Sequence, residues 1–107
     1  MKRIHTSKDF KNVLKTSKEN KTFVLKHSNT CPISAQAKEE IEAFEEEHDE
    51  YSFFYLVVQE DRPLSNKIEE RFDIKHESPQ LFIFDDEEVM WHDSHYMIND
   101  EEIQKQL

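Results

Sequence analysis

The chain has 107 residues, with 24 acidic against 14 basic side chains, a net charge of −10 and no glycine. That length supports one hydrophobic core and not two, so a single domain spanning residues 1–107 is expected. The charge repels a phosphate backbone, and the missing glycine excludes both the dinucleotide fingerprint and the P-loop, which argues against nucleic-acid binding and nucleotide-dependent catalysis alike.

In chain order, Ser7 precedes a short helical pattern that places Phe10, Val13 and Leu14 on one face and is ended by Asn20 and Lys21. Thr22–His27 reads as a strand and Ser28-Asn29-Thr30 as a loop. Cys31 then opens a helix running to about His48, with Ala37, Ile41, Phe44 and His48 along one stripe. Its opposite face, Lys38, Glu39, Glu42, Glu45 and Glu46, is solvated, and the acidic run Glu45–Glu50 opposes the macrodipole and is expected to fray. Ser52–Val58 is apolar almost throughout, the mark of a central strand in a covered sheet. Asp61-Arg62-Pro63 starts a helix with Leu64, Ile68 and Phe72 inward. Ser78-Pro79 leads into a strand, Leu81–Phe84, and Asp85–Glu88 turns into a last strand, Val89–His92, whose Trp91 reads as core or rim packing. Asn99 caps a final helix, with Glu102 as its capping-box partner. The alternation of helices and strands gives an α/β class with a mixed central sheet flanked by helices.

No apolar run approaches the roughly 18 residues of a membrane span. Met1–Ser7 is basic but leads into no apolar stretch, so a secretory signal is not expected. With one cysteine no internal disulfide can form, and the expected setting is a reducing cytosol.

That cysteine carries the chemistry. With Cys31 as N-cap and Pro32 at the first helical position, the unpartnered amides of the first turn point at the sulfur and favour its thiolate, the reactive form. A lone cytosolic cysteine is more commonly a small buried hydrophobe. What sets Cys31 apart is the strand before it, Pro32 after it and Ser78-Pro79 downstream.

Those features, Thr30-Cys31-Pro32-Ile33-Ser34, Ser78-Pro79 before a strand, and a hairpin followed by a capped helix, resemble the thioredoxin fold over about residues 22–107, with an N-terminal helical extension before it. Thioredoxins carry Cys-x-x-Cys. Here Ser34 stands where the second cysteine would be, and the monothiol Cys-Pro-Ile-Ser is most similar to the YtxJ family, the monothiol bacilliredoxins. The resemblance implies a thiol–disulfide oxidoreductase acting in redox homeostasis under oxidative stress. Cys31 would remove bacillithiol from S-bacillithiolated proteins, with bacillithiol as low-molecular-weight thiol co-substrate and no bound cofactor. It implies a cis bond at Ser78-Pro79, a Ser78 backbone free to pair with an extended substrate, and Thr30 and Ile33 flanking the sulfur, with a further hydrogen bond from the Ser34 hydroxyl. By analogy with the loop in which glutaredoxins grip their small thiol, Ser94 and His95 are candidate bacillithiol contacts, and Lys26, Lys75 and His76 candidate anion contacts.

Two other readings compete. A monothiol glutaredoxin-like iron–sulfur carrier shares Cys-x-x-Ser, but Pro32 stiffens a position that is glycine in those proteins. A non-catalytic interaction module would keep the fold with an ordinary thiol. His92-Asp93-x-His95 carries zinc-type ligands without a convincing set of further ones, so no metal is expected.

Overall fold

In the computed structural model, which describes residues 1–107, the strand Thr22–His27 has all six residues buried. It is the middle of a five-stranded mixed sheet ordered β1-β3-β2-β4-β5. The elements are β1 (Lys2–Arg3), α1 (Ser7–Thr16), β2 (Thr22–His27), α2 (Pro32–Glu47), β3 (Ser52–Val57), α3 (Arg62–Phe72), β4 (Gln80–Asp85), β5 (Glu88–Ser94), a 3-10 turn (His95–Met97) and α4 (Asp100–Gln104). β3 runs parallel to both β1 and β2, while β4 is antiparallel to β2 and β5.

The expected central strand, Ser52–Val58, is interior but not central. β1 covers it only at Phe54 and Tyr55, and both stay half-buried. Thr22 and Lys26 disguise the true centre, because a sequence pattern reads a lysine as exposed. The strand β1 carries too few residues to leave a periodic signal, and the sequence reading missed it. The expected N-terminal helix is present as α1, capped one residue earlier than expected. Thr6 is the N-cap, in a reciprocal capping box with Asp9.

Side chains alternating along the strands build a core on each face of the sheet. On one, Val24, Leu56, Phe82 and Phe84 meet Phe10, Val13 and Leu14 of α1 and Leu64 and Ile68 of α3. On the other, Phe23, Leu25, Leu81 and Ile83 meet Ala37, Ile41 and Phe44 of α2 and Ile103 of α4. Each such buried Val, Leu, Ile or Phe side chain contributes about 1.5–3 kcal/mol.

Without glycine, four other residues take positive φ: Asp73, Asp86, Glu87 and His95. Asp86 and Glu87 form the two-residue turn between β4 and β5, where positive φ at both positions matches the strand twist. The conformation is unfavourable for Glu87, and buried Ser17 offsets it, its carbonyl accepting from the Asp86 amide at 2.9 Å and its hydroxyl from the Glu87 amide at 2.8 Å. Both hairpin strands are longer than expected, so Asp93 and Ser94 belong to β5 and not to a loop.

At the C-terminus, Asn99 Oδ1 accepts from the Glu102 amide at 2.9 Å, but the Glu102 carboxylate takes Lys105 at 3.1 Å and leaves the capping box half made. The acidic end of α2 is anchored where fraying was expected. Glu45 takes the Met1 ammonium at 2.7 Å, and the His48 ring stacks on Phe44 at 4.1 Å. No helix is long and apolar enough to cross a membrane.

Candidate active site at the start of α2

The sheet register decides which loops meet. Lys26 of β2 pairs with Gln80 of β4, so the residues after His27 and those before Gln80 emerge at the same end of the sheet. One of these segments carries Cys31 and the other carries Ser78-Pro79.

Cys31 is the N-cap of α2 in an extended conformation, with Pro32 at the first helical position. Its thiol is half-buried. Its pKa is lowered from the ordinary thiol value chiefly by the Ser34 backbone amide. Desolvation opposes this, and the Ile33 amide and the Ser34 hydroxyl add to the lowering. These amides, at the second and third helical positions, have no partner within the helix, which is why a thiolate is welcome there. Ser34 is fully buried, and its Oγ meets no other partner in the resting chain. A buried hydroxyl without a partner is unfavourable, and charge developing on Sγ relieves it.

Because the thiolate is the reactive form, the Cys31 reaction rate should hold up below the ordinary thiol pKa and fall as pH drops through the lowered value. The stability linkage has the same sign. The contribution is complete above the unfolded-state pKa and is lost as pH falls through the folded one. A Ser34→Ala variant should raise the Cys31 pKa and slow alkylation about threefold at neutral pH. The pH profile of alkylation checks this, and a profile identical to wild type would assign the lowering to the backbone amides alone.

The Ser78-Pro79 bond is cis, as the resemblance implied. The Ser78 main chain makes no hydrogen bond within the chain, and its buried Oγ is likewise unpartnered. The Pro79 carbonyl accepts from the His95 amide at 3.1 Å, and His95 takes positive φ there. His95 also lies 3.7 Å from the Glu77 carboxylate. With Ile33, Gln36, Tyr96 and Asn99, His95 lines a groove of about 50 Å³ between α2 and the 3-10 turn. Thus His95 is tied to the cis-proline and shares a groove with Ile33, two residues past Cys31, and the largely exposed Tyr96 (71% exposed) lines the same groove.

The candidate small-thiol contacts separate into two clefts. Lys75 and Ser94 share an open cleft of about 370 Å³ with Glu77, Gln80, His92 and Asp93, whereas His95 faces the Ile33 groove. Lys26 is not a surface anion contact, and the half-buried His76 has its Nδ1 on the Lys26 ammonium. Lys26 is completely buried on the α3 side, its Nζ donating to the Ser65 carbonyl at 3.1 Å and to His76 Nδ1 at 3.2 Å. No group of three His, Cys, Asp or Glu side chains is placed to hold a metal ion.

Two residues near the site gave no signal in the sequence. His27, at the end of β2, has a pKa lowered by burial and then by Lys38, and its Nδ1 is a third unpartnered polar atom at this end of the molecule. Gln59 reaches from the turn after β3 to the loop before Cys31, donating to Ser28 Oγ at 2.7 Å. Thr30, exposed, points its Oγ1 at this same side chain at 3.3 Å. Only long-range pairing brings residues so far apart in the sequence together.

Comparison with known proteins agrees with this geometry. The chain matches the family described as monothiol bacilliredoxin BrxC over residues 2–103. It is similar to a solved structure proposed to be an oxidoreductase with a thioredoxin fold, with 37% identity and a TM-score of 0.90 over 98% of this chain and 91% of that one. It is also similar to Fasciola hepatica thioredoxin (16% identity, TM-score 0.83, 98% and 94% coverage) and to Trypanosoma brucei brucei thioredoxin (12%, 0.80, 97% and 84%). Identity that low shows a shared fold alone. The match over residues 2–103, on a thioredoxin fold whose single cysteine opens α2, shows that this chain belongs to the monothiol bacilliredoxin family.

Proposed function

We propose that this protein removes bacillithiol from protein mixed disulfides in the cytosol, with Cys31 as the only nucleophile. The observation that carries the reading is the Cys31 sulfur at the start of α2, its thiolate favoured by the Ser34 and Ile33 amides, with a serine hydroxyl in place of a resolving thiol.

The Cys31 thiolate attacks the bacillithiol sulfur of the client disulfide. A Cys31–bacillithiol disulfide forms, the client thiolate leaves and takes a proton from water. Because the chain has no second cysteine, a second bacillithiol thiolate must attack this disulfide, releasing Cys31 as thiolate and bacillithiol as its own disulfide. The unpaired Ser78 main chain would hold an extended client segment as an added strand does, with Thr30, Pro32, Ile33 and Pro79 shaping access to the sulfur. The Lys75 ammonium and Ser94, in their shared cleft, would meet bacillithiol carboxylates, and His95 would bound the approach from the other side.

Intact-mass measurement after mixing the protein with a bacillithiol-capped client tests this. One bacillithiol should move to the protein while the client returns to its free mass. No transfer, with Cys31 still reactive toward an alkylating agent, would leave a redox site with a different thiol partner.

A further inference from the structure

The loop that delivers the nucleophile, Ser28-Asn29-Thr30, makes no main-chain to main-chain hydrogen bond of its own. Its last such tie before Cys31 is the His27 carbonyl, which accepts from the Val58 amide at 2.8 Å, and the next is the Cys31 carbonyl, which accepts from Ala35 at 3.2 Å. Between them side chains do the holding: Ser28 Oγ accepts from the Thr30 amide at 3.4 Å, and a residue of a distant turn, Gln59, reaches all three loop residues. Gln59 Oε1 accepts from the Asn29 amide at 3.2 Å, and Gln59 Nε2 donates to Ser28 Oγ at 2.7 Å and Thr30 Oγ1 at 3.3 Å. The neighbouring Glu60 accepts from Asn29 Nδ2 at 3.1 Å.

The turn bearing Gln59 is itself fixed. Asp61, buried, accepts from the Val57 amide at 2.9 Å, from Arg3 at 3.2 Å, and contacts His5 Nδ1 at 2.9 Å, while its own amide donates to the Val57 carbonyl at 2.7 Å. The loop is thereby tied through Gln59 to a rigid corner of the sheet.

We propose that Gln59 is a positioning residue for Cys31, holding the three residues before it so that the sulfur stays over the Ile33 and Ser34 amides. The inference rests on the reading of Cys31 as the nucleophile. A thiolate is stabilised by amides only while the sulfur stays within hydrogen-bond reach of them, and small misplacements of a reacting group slow reactions steeply. An untethered loop would let Cys31 wander from the helix axis. Both Asn29 and Gln59 are exposed, so the tether acts on local geometry and contributes little to the core.

The test compares wild type with Gln59→Met, which keeps the length and removes the three hydrogen bonds Gln59 makes to the loop, and Gln59→Glu, whose carboxylate can still accept from the Asn29 amide and the two hydroxyls. The measurements are the pH profile of Cys31 alkylation, hydrogen exchange of the Asn29 amide, and thermal melting. The expected result for Gln59→Met is alkylation about tenfold slower at neutral pH, a midpoint moved to higher pH, faster Asn29 exchange and a melting temperature shifted by no more than about 2 °C. Gln59→Glu should restore the slow Asn29 exchange. A wild-type pH profile in Gln59→Met would overturn the proposal. So would a rate loss matched by a large fall in melting temperature, which would make Gln59 a plain structural residue. Alkylation does not involve a bacillithiol-bearing client, so the outcome stands apart from whether bacillithiol is the true partner. If wild-type Cys31 proves inert, the nucleophile reading fails, and the Asn29 exchange still reports whether Gln59 holds the loop.

Discussion

A Cys31→Ala variant is expected to carry no bacillithiol and to leave a capped client unchanged, a loss of about a thousandfold or more that ends at the background exchange of free thiols. The reason is arithmetic as well as chemical. Cys31 is the only sulfur nucleophile in the chain, so no neighbouring thiol can substitute for it. The structure also predicts that the loss is clean. Cys31 is half-buried and its side chain makes no capping bond to α2, so replacing it should move the unfolding free energy by no more than about 1 kcal/mol. Client mass and thermal melting, read on the same sample, separate chemistry from folding. Transfer retained by Cys31→Ala would remove the proposed mechanism outright. A melting temperature that collapsed would mean that Cys31 is a packing residue.

The second large effect is on stability, at Lys26. Lys26→Ala should lower the unfolding free energy by about 3–5 kcal/mol, a large share of the roughly 5–15 kcal/mol a domain has. The side chain is fully buried, its ammonium bonded to the Ser65 carbonyl and His76 and lying 5.8 Å above the Phe82 ring. Truncation leaves a cavity between β2 and α3 and removes the tie that holds α3 to the segment before the cis-proline. Lys26→Met, which keeps the stem, should cost far less, within about 1 kcal/mol of wild type.

The charge of Lys26 has a second consequence, in the pH dependence of stability. Burial lowers its pKa from 10.5 to about 8, with Glu69 opposing that shift and Arg62 assisting it. Between pH 8 and 10.5 the folded chain has given up this proton while the unfolded chain still holds it. The unfolded state binds more protons, so this group makes stability rise with pH across that window. Denaturant unfolding of wild type against Lys26→Met across the window isolates the effect. The rise should be smaller in Lys26→Met, and parallel curves would mean that Lys26 titrates normally.

The candidate site was legible in the sequence because its setting is local. A helix start is announced by the residues at it, so Cys31 as N-cap, Pro32 beside it and the Ser34 and Ile33 amides aimed at the sulfur follow from a few consecutive positions. The apolar periodicity of Phe10, Val13 and Leu14, or of Ala37, Ile41 and Phe44, likewise gave the helices and their inner faces. Sheet order and cross-chain contacts have no such local signature. Nothing adjacent to Lys26 distinguishes a buried ammonium from a solvated one, since its partners lie on α3 and in the loop before Ser78. For the same reason Lys26 could be read as an anion contact, and Ser52–Val58 as the central strand. The two-residue strand β1 is too short for periodicity, and only pairing with β3 makes it a strand. Cys31 at a helix start and the elements that carry it could be read from the chain alone, because hydrogen bonds within one turn and side chains on one face depend on neighbours in the chain. Tertiary structure alone decided that β2 is the centre, that Lys26 is interior, and that Gln59 holds the Cys31 loop, because each depends on groups that only the folded sheet brings together.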